Sequence, residues 1–597
     1  MNDKKTAEKP DVEQLSKELF ELAQRSQGMY TQLLQSSNGM GATSMDPLNV
    51  SKAMTDAAQK LWMDPGRLME ANINLWQQHM QLWQKASGQL AGSASGEATA
   101  SPEPGDRRFS HPDWQENPLF DFIKQSYLIT ARWLVDTMSG IEGIDDQTAH
   151  KVEFYTRQFA DSFSPSNFIW TNPEVLRETI ETKGQNLVKG LQNFQRDMEK
   201  GGGALQITMS DSEAFRLGEN IATTPGKVVF QNDLIQLIQY QPTTAEVYRQ
   251  PLLIVPPWIN KYYILDLTPE KSFVRWAVDR GYTVFVVSWV NPDERLAEKS
   301  FTDYMDEGIL GAVAAVEQAT GERQMSAIGY CIGGTLLSAT LAYMAAHSDD
   351  RIQAATFFAA QADFSEAGDL KVFVDEKQLD NLDSMMEEKG YLDGQAMFTT
   401  FNMLRANDLI WSFYVNNYLL GRDPVPFDLL HWNADATRMP RQTHMYYLRE
   451  MYLHNNLAKP GGIELNGTPI DLRKITIPIY LQASKEDHIA PYPSVFKARG
   501  LYSGPVRFML AGSGHIAGVI NPPAKRKYQY WMNDDQPTDL DAWLAGAEEH
   551  PGSWWPDWDQ WLSRHSGPMV PARVPGDEQL AVIEDAPGTY VKAPSDD

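Results

Sequence analysis

Short apolar runs recur along the chain from Lys227 onwards, and polar residues or turn formers separate them. They are rich in Val, Ile, Phe and Tyr, which favour β-strands: KVVFQ, LIQLIQY, PLLIV, TVFVVSW, MSAIGY, ATFFAA, IPIYLQA and VRFMLA. Stretches with helical spacing, such as KSFVRWAVDRG and FTDYMDEGILGAVAAVEQATG, lie between several of them. Continuous apolar strands that alternate with helices predict an α/β fold with a mostly parallel sheet covered on both faces.

The first 220 residues have a helical pattern instead. Two rows of apolar residues repeat every seven positions: Leu68, Leu75 and Leu82, and beside them Met69, Trp76 and Trp83. They predict an amphipathic helix with both rows on one face, packed on its own domain or a partner. The alternative is an aromatic face that docks on an apolar surface. Further on, Asn117–Met138 has helical spacing, and a helix is expected to stop at the glycine triplet that begins at Gly201.

These patterns predict three regions. Residues 1–105 form a polar segment with the amphipathic helix and, over residues 85–105, a flexible linker. Residues 106–220 form a helical domain, and residues 221–597 form the α/β domain. Inside the latter, about 115 residues (362–476) separate two strands, which is too long for a bare connection and predicts a helical cap.

Net charge and cysteine content exclude some classes of function. The chain of 597 residues has a formal net charge of −26, which argues against general nucleic-acid binding and requires a local basic pocket for any anionic substrate. One cysteine rules out an intrachain disulfide, so the sequence fits a reducing cytoplasm. The N-terminus lacks the apolar segment of a secretory signal, and no apolar run predicts a membrane span.

The only cysteine lies in SAIGYCIGGTLLSA, between a predicted strand and a predicted helix. A nucleophile on such a sharp turn needs small neighbours, and Gly329 and Gly333 stand two residues before and after Cys331. The helix that follows would point its N-terminal amides at the sulfur, which favours the thiolate. A lone cysteine can be a small buried hydrophobe, but this context favours the nucleophile of an α/β-hydrolase fold, which follows the fifth strand.

In that fold the acid and the histidine follow the nucleophile in chain order. IPIYLQA is followed by SKEDHIAP, which offers Asp487 as the acid and Glu486 as the fallback. VRFMLA is followed by GSGHIAGV, which offers His515 as the base that takes the thiol proton. Asp487 would fix the tautomer of the imidazole, and His488 is interpreted as a neighbour that shapes the acid loop.

The oxyanion hole is expected to use the backbone amide of Ile332, directly after the nucleophile. A second amide is expected near Trp258 or Ile259, in the loop PPWINKYYILDL after the third predicted strand. Lys261 in this loop is one candidate for a cationic contact with the substrate, although exposed lysines are common. Near the C-terminus, HPGSWWPDWDQWLSRH holds four tryptophans, for which core packing is the first interpretation and a buried subunit or domain contact the second.

Several blocks of the sequence resemble the polyhydroxyalkanoate synthases, in particular the single-subunit class I enzymes. The matching stretches are DRRFSHPDWQENPLFDFIKQSYLITARWL, PPWINKYYILDLTPEKSFVRWAVDRGYTVFVVSWVNPD, GYCIGGT, ASKEDHIAPY, GSGHIAGVINPP, GSWWPDW and PGTYVK. The resemblance covers about residues 106–592 and leaves the first hundred residues unmatched.

This resemblance implies that Cys331, His515 and Asp487 form a triad and that Cys331 holds the growing acyl chain as a thioester. Trp432 stands where such enzymes have a tryptophan linked to dimer or cap function. The implied substrate is (R)-3-hydroxyacyl-coenzyme A, with short-chain units such as 3-hydroxybutyrate, and coenzyme A is the only carrier, with no metal or other cofactor. Such enzymes are homodimers on the surface of cytoplasmic polyester granules, sometimes with phasin partners.

Two other functions are compatible with these residues. An esterase, thioesterase or polyester depolymerase of the same fold would use the same triad and cap but pass the acyl group to water. A non-catalytic granule-coat protein could keep a relic of the fold. The filled catalytic positions disfavour the coat protein, and the cysteine favours a synthase over a hydrolase.

Overall fold

The structure is a computed structural model, and it describes residues 50–90, 97–203 and 205–594. The first 49 residues of the predicted polar segment and residues 91–96 of the predicted linker lie outside this range. The described residues form two compact units. The first, called the helical unit, contains the described residues up to Asp211 together with Asn402–Val425. The second, called the sheet unit, contains Ser212–Phe401 and the described residues from Pro426 onwards.

The helical unit is built from α-helices joined by short loops. Its helices are α1 (Val50–Trp62), α2 (Pro65–Leu90), α3 (Asp113–Glu116), α4 (Pro118–Met138), α5 (Asp146–Ser162), α6 (Pro173–Glu181) and α7 (Gln185–Lys200). The unit therefore includes α1 and α2, which the sequence pattern assigned to a separate N-terminal segment. Two π-helical turns, Asn407–Trp411 and Tyr414–Leu419, belong to the same unit.

Helix α4 forms as the sequence predicts. The side chain of Asn117 caps it by accepting a hydrogen bond from the amide of Leu119 at 3.0 Å, and proline occupies the first helical position. The helix predicted to stop at the glycine triplet is interrupted earlier, because Lys183 and Gly184 have left-handed φ values of 55° and 88°. Helix α7 starts afresh after this break and ends at Lys200, directly before the triplet.

The two seven-residue rows of α2 lie on different faces, which corrects the prediction. Leu82 is buried with Ile129 of α4 in one apolar cluster. In contrast, Met69, Trp76 and Trp83 are 65%, 65% and 60% exposed. Consecutive residues of a helix are about 100° apart around its axis, so a row that is one position further along turns away from the packed side. The helix presents this aromatic row outwards.

The predicted linker is also more ordered than expected where it is described. Residues 85–90 continue helix α2. Further on, the backbone amides of Thr99 and Ala100 donate to the side-chain oxygen of Gln125, at 2.7 Å and 3.2 Å, and Ala100 is buried. Small residues suited to a linker thus also fit closely against α4.

Residues 402–425, which the sequence places in the cap, pack into the helical unit. The amide of Asn186 donates to the carbonyl of Leu419 at 2.8 Å, and the hydroxyl of Tyr418 donates to the carboxylate of Asp197 at 2.6 Å. The backbones approach so closely that a Cβ on Gly190 would lie 1.8 Å from the carbonyl oxygen of Tyr418. These contacts join parts of the chain that are more than 200 residues apart.

The sheet unit contains one large sheet and three small ones. Its strands are β1 (Gly226–Gln231), β2 (Ile235–Tyr240), β3 (Glu246–Tyr248), β4 (Leu252–Val255), β5 (Val284–Trp289), β6 (Met325–Tyr330), β7 (Ile352–Phe358), β8 (Tyr391–Leu392), β9 (Met439–Pro440), β10 (Glu464–Leu465), β11 (Thr468–Pro469), β12 (Ile479–Ser484), β13 (Val506–Ala511), β14 (Gln529–Met532), β15 (Glu548–Pro551), β16 (Met569–Pro571) and β17 (Glu584–Asp585). Eleven pair in the order β15-β14-β13-β12-β7-β6-β4-β5-β2-β1-β17.

The centre of the large sheet, from β13 across to β5, is parallel, and its outer strands are antiparallel. Strands β2, β4, β5, β6 and β12 are buried at every residue, which explains their continuous apolar sequences. All eight predicted strands are present. The sequence pattern missed β14 and β15, the last two strands at one end of the large sheet, and it missed β3, which pairs with β16 outside that sheet.

Helices cover the sheet and form most of the long insertion. They are α8 (Phe273–Asp279), α9 (Phe301–Asp303), α10 (Gly311–Thr320), α11 (Ile332–Ala346), α12 (Glu376–Met386), α13 (Gly394–Leu404), α14 (Asp428–Ala434), α15 (Arg441–Tyr447), α16 (Tyr492–Lys497), α17 (Leu540–Ala545) and α18 (Trp555–Ser563). Helix α13 crosses the boundary between the two units at Asn402. Within the described residues, every helix is too short or too polar to span a bilayer.

Candidate active site

Cys331 occupies a tight turn between β6 and α11. Its backbone has φ 51° and ψ −127°, a conformation that residues other than glycine rarely adopt. Its amide donates to the carbonyl of Phe358 at 2.9 Å. The residue precedes a helix of 15 residues, so the first amides of α11 and the helix dipole are directed toward it. Because β3 lies outside the large sheet, Cys331 follows the sixth strand of the chain but the fifth strand of that sheet.

The glycines around the turn are required by close backbone contacts. A Cβ on Gly329 would lie 2.5 Å from the Cα of Gly334, and a Cβ on Gly333 would lie 2.5 Å from the carbonyl oxygens of both Val255 and Pro256. No side chain fits at these distances. The two positions that the sequence singled out therefore allow the strand, the turn and the helix to approach each other.

Asp487 and His515 come together although 28 residues separate them. The Nδ1 of His515 lies 2.7 Å from the Oδ2 of Asp487, and the other carboxylate oxygen accepts the amides of Ile489 and Ala490 at 2.8 Å and 2.9 Å. The carboxylate side chain has no exposed surface. These contacts fix the carboxylate and hold the Nδ1 side of the imidazole.

Cys331 is close enough to His515 to act on its imidazole. Burial alone would lower the pKa of His515, but the charges of Asp487 and Cys331 and the contacts with both groups outweigh burial and raise that pKa to about 10. The imidazole therefore carries a proton at neutral pH. His515 is thus held by Asp487 and is influenced by the charge of Cys331.

The loop expected to supply the second oxyanion donor lies at the start of α11. Pro256 contacts Gly333 there, as the close approach of its carbonyl oxygen shows. Thr437 holds this loop with two hydrogen bonds. Its hydroxyl donates to the carbonyl of Trp258, and its backbone amide donates to the carbonyl of Ile259 at 3.1 Å. Ile332 is the first residue of α11, where a backbone amide has no partner within the helix.

The remaining sequence candidates have supporting positions. Trp432 is buried, and its indole donates to the carbonyl of Lys261 at 2.7 Å. Lys261 is buried too, and its ammonium lies 2.6 Å from the carboxylate of Asp435, so it is committed to this ion pair and not open to a substrate. His488 is half-buried in the acid loop, next to Asp487.

Two tyrosines beside the thiol were not found from the sequence. The rings of Tyr447 and Tyr452 lie 5.5 Å apart, each contacts Phe364, and the pKa of each phenol is raised by burial and by charge at Cys331. They are five residues apart and share a side because a π-helical turn, Leu448–Leu453, follows α15. The three- and four-residue spacing used to read helices does not detect such a pair.

Among the described residues, no group of three or more His, Cys, Asp or Glu side chains is arranged to hold a metal ion. The candidate site consists of the thiol of Cys331, the imidazole of His515 and the carboxylate of Asp487 at the carboxyl edge of the parallel strands. This arrangement, on strands of this order, defines an α/β-hydrolase-fold protein.

Comparison with known proteins extends this assignment. Residues 105–277 match the family model described as the N-terminus of poly-beta-hydroxybutyrate polymerase (PhaC), and residues 250–522 match the alpha/beta hydrolase fold. The chain is 50% identical to a poly(3-hydroxyalkanoate) polymerase of Methylorubrum extorquens over 94% of its own length and 92% of the relative's. It is 51% identical to the polymerase subunit PhaC of Rhizobium meliloti, covering 91% and 88%. It is 41% identical to the polymerase subunit PhaC of Cupriavidus necator, over 90% of its own length and 90% of the relative's.

The chain therefore belongs to the poly(3-hydroxyalkanoate) polymerase family, and it is an acyltransferase of the α/β-hydrolase fold.

Proposed function

We propose that this polymerase acts on (R)-3-hydroxyacyl-coenzyme A, prefers short-chain units such as 3-hydroxybutyryl-coenzyme A, and carries the growing chain on Cys331 as a thioester. Coenzyme A is the acyl carrier and leaves as the free thiol. One observation carries the proposal. The nucleophile position of the fold holds a cysteine, and the charges of Cys331 and Asp487 together raise the pKa of His515, which is hydrogen bonded to Asp487.

Acylation begins with the thiolate of Cys331 attacking the carbonyl carbon of the bound thioester. The negative charge that develops on the carbonyl oxygen is met by the amide of Ile332 and by a second amide near Trp258 or Ile259. When the carbon–sulfur bond of the substrate breaks, the imidazolium of His515 gives its proton to the departing coenzyme A sulfur. The products are an acyl-Cys331 thioester, free coenzyme A and a neutral imidazole.

A cysteine suits a reaction that must continue. Exchange of one thioester for another is nearly isoenergetic, and the acyl group on sulfur stays activated for attack by a hydroxyl. A serine would form an oxygen ester as stable as the product linkage, which leaves little driving force for elongation. The thiolate also forms more readily than an alkoxide at neutral pH.

In elongation the hydroxyl of a second hydroxyacyl-coenzyme A attacks the carbonyl carbon of the acyl-Cys331 thioester while the neutral imidazole of His515 takes its proton. The bond between that carbon and the Cys331 sulfur breaks, and Cys331 leaves as a thiolate beside the imidazolium. The chain, now one unit longer and on coenzyme A, returns to Cys331 by a repeat of the acylation step. The surroundings of Asp487 support an orienting role for the carboxylate and not direct contact with that hydroxyl. Two backbone amides occupy one of its oxygens, the imidazole occupies the other, and the side chain has no exposed surface.

The hydroxyl must also compete with water. Tyr447, Tyr452 and Phe364 form an aromatic group beside Cys331, and the two tyrosines are each only 6% exposed. Such a lining keeps bulk water from the thioester, while the phenol groups can hydrogen bond to the hydroxyl of the incoming unit. The same features favour transfer to a hydroxyl over hydrolysis.

Coenzyme A carries several phosphate charges, whereas the chain has a net charge of −26. Lys525, Arg526 and Lys527 are exposed, and they follow His515 in the loop between β13 and β14. The pKa of Glu270, in the connection after β4, is lowered by hydrogen bonds to its own backbone and to Thr268, and the charge of Lys525 lowers it further, which supports a position of the basic run near that connection. We assign the phosphates of coenzyme A to this basic run, because a local cationic patch attracts an anionic substrate to an acidic protein.

We also infer a homodimer in the cytoplasm, bound to the surface of polyester granules and open to phasin partners. The helical unit supports attachment to an apolar surface, since Trp76, Trp83 and Trp170 are 65%, 60% and 81% exposed. Trp432, buried within the sheet unit, supports a role in holding the loop of Lys261 and not in direct contact with a second copy.

Incubation with 3-hydroxybutyryl-coenzyme A tests the proposal. Polymerisation gives free thiol together with turbidity from insoluble polyester. A hydrolase gives thiol and soluble 3-hydroxybutyrate, and a coat protein gives no thiol. Repeating the assay with longer hydroxyacyl units and comparing product composition tests the preferred chain length.

A further inference from the structure

Three tryptophans near the C-terminus lie in the apolar core of the sheet unit. Trp554, Trp555 and Trp558 have 0% of their surface exposed, and they stand at the start of α18. The sequence interpretation of core packing is correct for their burial, but it does not explain where their polar atoms point. Each indole carries one N–H donor, which needs a partner once it is buried.

Two of these donors hold the loop that carries His515. The indole of Trp554 donates to the carbonyl of Gly518 at 2.7 Å, and that of Trp555 donates to the carbonyl of Val519 at 2.9 Å. The amide of Gly518 closes a turn around the histidine by donating to the carbonyl of Gly514 at 2.8 Å. The two indoles therefore fix the backbone three and four residues after His515.

The other side of this loop is pressed against the strand that leads to the acid. A Cβ on Gly518 would lie 2.1 Å from the side-chain oxygen of Ser484, the last residue of β12, so no side chain fits between them. Asp487 follows three residues later. The loop is thus held between Ser484 on one side and the indole donors on the other.

The ring of Trp554 also reaches the nucleophile side of the site. It packs against the ring of Phe358 with centroids 5.1 Å apart, and the carbonyl of Phe358 accepts the amide of Cys331 at 2.9 Å. One side chain accordingly contacts both the residue that anchors the turn of Cys331 and the backbone that carries His515. A shift of Trp554 would alter the distance between thiol and imidazole.

We propose that Trp554 and Trp555 are positioning residues for the acyl transfer, because their indole donors keep the His515 loop in register with the turn of Cys331. This proposal rests on the catalytic roles given to Cys331 and His515 above. The tryptophans touch no reacting atom. They act on the rate because a displacement of about 1 Å in a catalytic group can cost about 10²-fold.

The test replaces single indole donors in the full chain. Trp554→Phe and Trp555→Phe keep an aromatic ring but remove the N–H group. Trp558→Phe is the matched control, since Trp558 is equally buried and also packs against Phe358, with ring centroids 6.4 Å apart, but its indole donates to the side chain of Thr356 on β7 at 3.0 Å and not to the His515 loop. All three variants lose part of their ring packing, so their melting temperatures should fall together.

We expect Trp554→Phe and Trp555→Phe to release coenzyme A at least about 10-fold more slowly at saturating 3-hydroxybutyryl-coenzyme A, with KM little changed. The alkaline limit of their rate should move to lower pH, because a looser His515–Asp487 contact weakens the hold on the imidazolium. Trp558→Phe should keep both the rate and the pH limit. Equal rates in all three variants, or an equal loss in the control, would overturn the positioning role.

If a phenylalanine variant does not fold, benzothienylalanine at position 554 replaces the indole N–H by sulfur at nearly constant shape. It should reproduce the loss of rate without the loss of ring packing, and a normal rate there refutes the proposal. Failure of the proposed function is a separate result, in which the unaltered chain itself releases no coenzyme A from 3-hydroxybutyryl-coenzyme A.

Discussion

The imidazole of His515 lies 2.7 Å from one carboxylate oxygen of Asp487, and two backbone amides occupy the other oxygen. The charge of this fixed carboxylate, with that of Cys331, overcomes the effect of burial and raises the pKa of His515 to about 10. The pair therefore sets both the direction of the ring and the pH range over which it holds a proton.

Asp487→Asn should move the alkaline limit of the reaction to lower pH. The raised pKa means that the imidazolium persists from neutral pH up to about pH 10 and is lost above it. Without the carboxylate charge the pKa of His515 falls from its raised value, because Asp487 is the first of the charges that oppose the effect of burial, so the proton donor for coenzyme A is lost at a lower pH. We expect the rate at pH 8 to fall about 10²-fold or more. Single-turnover release of coenzyme A between pH 6 and 11 measures both effects.

Glu486→Gln is the control for this change, because Glu486 is the exposed neighbour in the same loop. It should keep the rate and the pH limit of the unaltered chain. An unchanged alkaline limit in Asp487→Asn would show that another group holds the proton of His515.

Cys331→Ser should lower polymer formation at least about 10³-fold while leaving the fold intact. The hydroxyl fits the same turn, but it is not a thiolate at neutral pH and its ester would not drive elongation. Trapping with radiolabelled 3-hydroxybutyryl-coenzyme A, followed by peptide mapping, should label position 331 only in the unaltered chain. Polymer at the normal yield from the serine variant contradicts the nucleophile assignment.

Gly333→Ala should damage stability as well as activity. The added Cβ would lie 2.5 Å from two backbone oxygens, neither of which can rotate away, so the turn of Cys331 must shift. We expect the free energy of unfolding to fall by about 2–4 kcal/mol in urea titrations. Gly500→Ala serves as the comparison, since a Cβ there meets nothing within 4 Å, and its effect should stay within about 0.5 kcal/mol.

Reversal of the basic run, Lys525→Glu with Arg526→Glu and Lys527→Glu, should raise KM for 3-hydroxybutyryl-coenzyme A about 10-fold at low salt. The effect should shrink at high salt and be absent for the N-acetylcysteamine thioester, which has the same acyl group but no phosphate. An equal rise in KM for both thioesters would place the defect at the acyl site. Charge reversal of the exposed Lys52, Lys183 and Lys200, far from His515 in sequence, controls for net charge.

Much of the site could be predicted because its signals are local. The glycines around Cys331 indicate a turn in which the backbone has no room for a Cβ. Asp487 and His515 each follow a strand with a continuous apolar sequence. Parallel strands then bring those strand ends to one edge without further information. The chain order of nucleophile, acid and histidine in this fold then names Cys331, Asp487 and His515 as the candidates.

Other features depend on contacts that no local pattern reports. Tyr447 and Tyr452 share a side only because the helix widens to a π-helical turn between them. The break at Lys183 lies inside a sequence pattern that is otherwise typical of a helix. The exposure of Trp76 depends on which face of its helix packs against the rest of the unit. Strand β14 is half-exposed and short, so its sequence pattern is weak.

The position of residues 402–425 in the helical unit affects how the two units can be separated by cleaving the chain. The chain passes between the two units at three points, after Asp211, Phe401 and Val425, so more than a single tether connects them. Cleavage after Asp211 removes Asn186 and Asp197, and the carbonyl of Leu419 and the hydroxyl of Tyr418 lose the groups they bind. A C-terminal fragment released by a protease at that point would keep the whole triad and still carry an orphaned stretch of 24 residues, whose own packing surface left with the N-terminal piece.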